Sequence, residues 1–158
     1  MSAPLTTPPC SVQSRAAGEL LAGTASELTD RWILLEHREA WAPKVLASGW
    51  SAPVRERLAA LEEIAGVRLQ LIRRPNRAAG GPLRLMLARP GETVTVDLAD
   101  APALLDADIE GFFSNGTPPT ADAKPHTEPL WLVCTHGKRD RCCAKLGLPV
   151  FRALRRRE

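Results

Sequence analysis

The sequence has little cysteine, histidine and aromatic content. Its 158 residues include 4 Cys, 3 His and no Tyr, and aromatic residues make up 4%. No apolar run reaches the roughly 18 residues of a transmembrane helix, and MSAPLTTPPC at the start lacks the basic and apolar parts of a secretory signal. Four Cys in a chain of this length do not indicate a secreted disulfide scaffold. We therefore expect a cytoplasmic protein whose thiols are metal ligands or redox groups.

The residues that are abundant suffice for a folded core. Hydrophobic residues make up 44% of the chain, and 158 residues allow one domain or one domain and part of another. Residues 138–158 hold eight Lys or Arg and two Asp or Glu, in a chain of formal charge +3. This basic tail predicts an anionic neighbour, which could be nucleic acid, an acidic protein or an anionic cofactor. Because Phe151 is its one aromatic residue, we do not expect a base-stacking nucleic-acid surface.

The first two thirds of the chain alternate between strand and helix patterns. Apolar runs, β-branched residues and turn residues predict strands at 32–36, 67–73, 83–88 and 93–98, helices at 54–65 and 101–113, and helical turns at 41–46. This order is that of a thioredoxin-like α/β sandwich. We therefore predict a tail and loop at 1–27, a thioredoxin-like domain at 28–115 and a Pro-rich linker at 116–129.

The rest of the chain faintly repeats the start of that domain. Trp131-Leu132-Val133-Cys134-Thr135-His136 resembles the segment WILLEH at 32–37, which is weak evidence for a duplicated unit. Residues 130–133 have the pattern of a strand, and residues 143–157 have that of a helix. Residues 130–158 are accordingly predicted to be the first strand and helix of a second thioredoxin-like unit.

The segment CTHGKRDRCC is the sharpest chemical feature. Cys134 ends the predicted strand, while Cys142 and Cys143 lie at the predicted start of the last helix. A helix N-terminus and nearby Lys and Arg favour the thiolate, which is the form that binds metal or attacks a disulfide. One member of the adjacent pair is expected to be a small core residue instead. His136 is either a ligand in a Cys/His zinc site or a group that orders the loop.

These residues resemble the cysteine motif of the sucrase/ferredoxin-like family. The segment CTHGKRDRCCAKLGLPV carries the likeness, and CSVQSRAAGELLAGTA, WILLEH and Trp41 resemble the family's opening segment, so that residues 10–154 are covered. The resemblance implies a thioredoxin-like [2Fe-2S] ferredoxin that transfers single electrons. It also implies that Cys134 and Cys143, nine positions apart, ligate the cluster, with Cys142 ranked second.

The family's His-x-Gly-Gly-His motif, which completes the ligand set, is absent from the sequence. The chain has only His37, His126 and His136, and a [2Fe-2S] cluster needs four ligands. We therefore expect a C-terminally truncated chain that supplies half of the ligands. The other half comes from another molecule or from substitute residues, or the cluster does not form. The alternatives are a thiol-redox or zinc-binding module and a non-functional fragment.

Other motifs give no indication of an enzyme. Carboxylates such as Glu36 and Glu39 are expected to be solvated and form no identifiable acid/base pair, so a sucrase activity has no support. No nucleotide-binding glycine motif exists. His37 and His126 are expected to face solvent. The expected partners are a redox protein and a second copy of the chain, with no membrane.

Overall fold

Five strands form one mixed sheet in the part of the chain that the structure describes. The structure is a computed structural model, and it describes residues 8, 10–18, 29–74, 80–138, 141 and 143–155. Contacts divide the chain into two units, Glu27–Pro129 and a second made of Met1–Ser26 with Leu130–Glu158. The predicted α/β class is confirmed by this mixture of a sheet and helices.

The sheet lies entirely in the unit Glu27–Pro129. Its strands are β1 (Arg31–Glu36), β2 (Val67–Ile72), β3 (Leu83–Arg89), β4 (Glu92–Leu98) and β5 (Lys124–Pro125), arranged in the order β2-β1-β3-β4-β5. β1 and β2 are parallel, and the other neighbours are antiparallel. β1 therefore lies inside the sheet, between one parallel and one antiparallel neighbour.

The four predicted strands are confirmed, and each differs from its predicted bounds by one residue. A tight turn joins β3 to β4: Arg89 pairs with Glu92, and Gly91 has φ +77°. Only glycine adopts this left-handed conformation without strain. An ion pair of 2.7 Å between Arg89 and Glu92 closes the same turn. Short two-residue turns of this kind fix the register of a hairpin.

Helix α2 (Ala52–Glu62) connects the two parallel strands. It begins after Ser51 with Pro53 in its first turn, a position where the missing N–H of proline costs no helical hydrogen bond. Val54, Leu58 and Leu61 are buried and form one apolar stripe along the helix. Gly66, with φ +78°, follows the helix and leads the chain into β2.

The single helix predicted at 101–113 is wrong. The segment forms a 3₁₀ helix at Pro102–Asp106 and then α3 (Ile109–Asn115). The break occurs at Asp108, whose carboxylate accepts the backbone N–H of Gly111 at 2.9 Å and so starts a new helix. At 41–46, the predicted helical turns reduce to a 3₁₀ helix at Val45–Ala47.

The core fills one face of the sheet. The buried residues that form it come from every strand except β5, from α2 and α3, and from the segments beside them: Ile33, Leu35, Trp50, Val54, Leu58, Leu61, Leu69, Leu85, Leu87, Val94, Val96, Leu98, Leu104, Ala107, Ile109, Phe112 and Phe113. Leu34 and Met86, on the other face, are also buried. β3 is therefore buried on both faces.

The second unit contains helices but no strand among its described residues. They are α1 (Cys10–Ala16) and α4 (Leu148–Arg155), the latter preceded by a π-helical turn at Cys143–Gly147. The strand predicted at 130–133 is wrong: these residues have no regular structure. A strand needs a neighbour for its backbone groups, and no described residue of this unit provides one.

Two further observations bear on the expected organisation of the chain. β5, which pairs with Val94 and Thr95, lies inside the segment predicted as a linker. No helix built from the described residues has the length and apolarity needed to span a bilayer.

We expect Phe112→Ala to lower the free energy of unfolding by about 3–5 kcal/mol, because the ring is completely buried and its removal leaves a cavity. Urea unfolding followed by circular dichroism measures this loss. Leu105→Ala is the matched control: Leu105 is 42% exposed, so its truncation should cost about 0.5 kcal/mol or less. Equal losses in the two variants would show that the core is placed wrongly.

Candidate functional site

The predicted ligands lie on a loop and a turn in the second unit. Residues 137–138 form a turn after the irregular segment, and Cys143 begins the π-helical turn that continues into α4. Cys134 is exposed and Cys143 is half-buried. Cys142, the second-ranked ligand, lies outside the described residues.

Two glycines allow this loop to lie against the turn. A Cβ atom on Gly147 would lie 1.9 Å from the carbonyl oxygen of Cys134, and one on Gly137 would lie 2.7 Å from Cβ of Ala144. Both distances are shorter than any real Cβ contact, so close packing requires the absence of a side chain at each position. Cys143 and Gly147 are the two ends of one turn. The structure thus brings the backbone of Cys134 to the turn that Cys143 begins.

Several positively charged residues lie close in the sequence to Cys134 and Cys143. Lys138, Arg141 and Lys145 are all exposed, and His136 is half-buried. Exposed cations of one sign raise the local concentration of anionic partners. The loop and turn therefore offer two thiols, one imidazole and a positive surface.

The described groups do not amount to a complete metal site. Across the described ranges, no three side chains of His, Cys, Asp or Glu are grouped so that they could hold a metal ion. A tetrahedral zinc site or a [2Fe-2S] cluster needs four ligands. The described residues can therefore supply part of a ligand set, through Cys134 and Cys143.

The end of β1 holds a buried charge that the sequence did not reveal. Glu36, expected to be solvated, is completely buried. One carboxylate oxygen, Oε2, accepts from Nη2 of Arg74 at 2.8 Å and from the backbone N–H of Arg84 at 3.0 Å. The expectation is wrong because both partners come from distant parts of the chain. The sequence contains one indication that Glu36 is buried: it directly follows the apolar run of β1, which is an interior strand of the sheet.

His37, predicted to face solvent, is buried as well, with 6% of its surface exposed. Its ring centroid lies 4.2 Å from that of Trp50, and Nε1 of Trp41 donates to its carbonyl oxygen at 3.0 Å. The prediction is wrong because the loop after β1 returns and covers the imidazole with Trp50. His126 is half-buried, and its backbone N–H donates to Thr93 at 2.8 Å.

Burial lowers the pKa of His37 below its ordinary value of 6.5. A hydrogen bond with the backbone of Ser48 and the charge of Glu39 raise the pKa, and the charge of Arg73 lowers it further. Desolvation is the largest of these effects, so the folded protein favours the neutral imidazole. His37 is therefore a structural residue whose charge state is coupled to folding.

A shallow groove of about 270 Å³ lies on the sheet of the larger unit, near β5. It is lined by two acidic, two basic and two uncharged residues: Asp97, Asp122, Arg84, Lys124, Thr95 and Pro125. Arg84 and Asp97 form an ion pair of 3.1 Å within it. Because its lining contains neither a thiol nor an imidazole, the groove adds no redox or metal-ligating group.

The buried imidazole predicts a loss of stability in mild acid. Because the folded protein holds His37 neutral, the unfolded chain binds a proton first as the pH falls. The free energy of unfolding should have its highest value above about pH 7. It should decrease as the pH falls through about 6.5, the pKa of histidine in the unfolded chain, toward the lowered pKa of the folded state. Urea unfolding across this range measures the effect. His37→Gln should remove most of it and His126→Gln should preserve it, whereas an unchanged pH dependence in His37→Gln would refute the assignment.

The contact at Gly147 predicts that a methyl group there disturbs the cysteine loop. Gly147→Ala should push the carbonyl of Cys134 away and lower the local opening free energy by about 1–3 kcal/mol. Cys143 should then react about tenfold faster with iodoacetamide, measured by mass spectrometry of the peptides. Gly49→Ala is the control, because its Cβ meets no atom within 4 Å although its φ is +80°. Equal alkylation rates in wild type and Gly147→Ala would rule out the close contact.

Comparison with known proteins yields no relative: no family model, curated protein or solved structure matches the chain. The function proposed below is therefore based on the residues of the chain and on its cysteine motif.

Proposed function

We propose that the chain is a sucrase/ferredoxin-like protein that supplies two thiolate ligands, Cys134 and Cys143, to a [2Fe-2S] cluster used in electron transfer. The observation that carries this proposal is the contact between the Cys134 carbonyl and Gly147, which brings the first cysteine to the turn begun by the second. Two thiolates held on one compact loop are suited to binding the same iron. Cys142 remains the less favoured ligand and His136 a less favoured one still.

The proposed fold of the larger unit is thioredoxin-like. Its strands follow the sequence β1, β2, β3, β4 with α2 between the parallel pair and α3 after the hairpin, and the sheet order begins β2-β1-β3-β4. This topology agrees with the expected α/β sandwich. A cytoplasmic location, which would keep the thiols reduced, is part of the same proposal.

The two cysteines supply half of the proposed ligand set. Four ligands are needed, and the described residues offer no group of three. We therefore assign two ligands to Cys134 and Cys143, and the other two to another molecule or to substitute residues. When bound, the cluster would accept and release one electron at a time. The exposed cations Lys138, Arg141 and Lys145 would offset the negative charge of the thiolates.

Anaerobic reconstitution of the protein with iron and sulfide tests the ligand assignment. We expect broad absorbance between about 400 and 600 nm and about two Fe and two sulfide per chain or per dimer. Cys134→Ser and Cys143→Ser should abolish the absorbance, since each removes a thiolate. Cys142→Ser should retain it, and Cys10→Ser, in the other cysteine-bearing segment, is the matched control.

Three outcomes contradict the proposal. Zinc without colour favours a zinc-binding module in its place, and four titratable thiols without metal favour a non-functional fragment. Loss of the cluster in Cys142→Ser but not in Cys143→Ser reverses the choice between the adjacent cysteines.

A further inference from the structure

The loop after β1 contacts His37 through one short segment, residues 41–50, which we name the cap. The ring centroid of Trp50 lies 4.2 Å from that of the imidazole, and the backbone of Ser48 is hydrogen-bonded to the imidazole. Nε1 of Trp41 donates to the carbonyl oxygen of His37 at 3.0 Å. Three residues of the cap thus contact a histidine that is only 6% exposed.

Hydrogen bonds within the cap hold it together. The backbone N–H of Ala42 donates to Oγ of Ser48 at 3.1 Å, and Nε1 of Trp50 donates to the carbonyl oxygen of Val45 at 2.8 Å. The donor and the acceptor of each bond both lie within residues 41–50. The cap can therefore move as one piece and keep these bonds, so its opening does not require their exchange for bonds to water.

Apolar and cation-π contacts keep the cap closed. Trp50 is 8% exposed and belongs to the core, and Val45 and Leu46 pack against that core. The guanidinium of Arg73, which follows β2, lies 4.9 Å from the ring centroid of Trp41. Because opening exposes these apolar groups to water, the closed cap predominates while the imidazole is neutral.

The covered imidazole is a poor site for a second proton. Nε2 of His37 is buried, and no described residue forms a hydrogen bond with it. A proton on Nε2 would therefore be a buried donor without an acceptor, which costs free energy. Two charged groups also act on the ring: Glu39, just before the cap, favours its protonation, and Arg73 opposes it.

The strand that carries His37 is held by bonds that do not involve the cap. The backbone N–H of His37 donates to the carbonyl oxygen of Ile72 at 3.2 Å, which extends the ladder between β1 and β2. β1 is paired with β3 on its other side. Water can therefore reach the imidazole through movement of the cap, without separation of the strands.

We propose that the cap is an acid-sensitive element, which opens when His37 takes up a proton from water while the sheet and α2 stay folded. In the open state the imidazolium is hydrated, so the free-energy cost of burying its charge disappears. Each proton bound in the open state but not in the closed state favours opening as the pH falls. Opening also exposes Trp50 and the part of the core that it covers.

This inference is distinct from both of the earlier conclusions about the chain. It does not rest on the proposed cluster, because Cys134 and Cys143 belong to the other unit. It also goes beyond the loss of global stability in mild acid, because it assigns the acid response to residues 41–50 rather than to unfolding of the whole unit.

Hydrogen exchange of the full chain, measured by mass spectrometry from about pH 7.5 to about pH 5, tests the proposal. The measured rates are divided by the intrinsic exchange rate at each pH. We expect the opening constant of the amides at 42–50 to rise by up to about tenfold for each pH unit below about 6.5. The corrected exchange of the amides at 33–35 and 85–87, in β1 and β3, should stay unchanged.

Variants identify the group that takes up the proton. His37→Gln should abolish the rise in opening, and His126→Gln, a change at a half-buried histidine outside the cap, is the matched control that should preserve it. Glu39→Gln removes the charge that favours protonation of His37 in the closed state. In this variant the rise should continue to a lower pH than in the wild type.

Four results would overturn the proposal. The first is a corrected exchange at 42–50 that does not change with pH. The second is an equal rise in β1 and β3, which would mean that the unit unfolds as a whole. The third is a rise that persists in His37→Gln, which would assign the response to another group. If His37→Gln does not fold, a rise in Glu39→Gln that ends at the same pH as in the wild type is the contradicting result.

Discussion

The carboxylate of Glu36 connects three strands of the sheet on which the larger unit is built. It belongs to β1, and its partners are Arg74, which follows β2, and the backbone N–H of Arg84 in β3. A completely buried carboxylate is tolerated only when it is paired and hydrogen-bonded. The end of β2 and the start of β3 must therefore meet at the end of β1. The loop that buries His37 beneath Trp50 starts from this same point.

The elements of the larger unit could largely be predicted because their signals are local. Alternation of apolar residues marks the strands, and the stripe of Val54, Leu58 and Leu61 marks α2. The buried Glu36 could not be predicted, because its partners lie 38 and 48 residues away in the sequence. The break at Asp108, in contrast, has a local cause. The side chain of Asp108 caps a new helix, although the apolar pattern of the segment predicts one continuous helix.

The candidate site likewise has one feature that the sequence predicts and one that only the structure shows. The spacing of Cys134 and Cys143 identifies the loop from sequence alone, whereas the close approach at Gly147 appears only once the chain is folded. The strand predicted at 130–133 had the right local pattern but no neighbour within the described unit. A strand depends on a second strand, so local propensity predicts it only when the partner is also present.

The need for glycine at position 147 restricts which sequences can form this loop. A cysteine pair at a given spacing can arise in many chains, because thiols also serve as ordinary core residues. A side chain at position 147 would displace the loop, since the carbonyl of Cys134 lies 1.9 Å from the place of a Cβ atom. Chains that share the cysteine spacing but carry another residue at this position would need a different path for the loop. The path of this loop therefore depends on the glycine as well as on the spacing of the two cysteines.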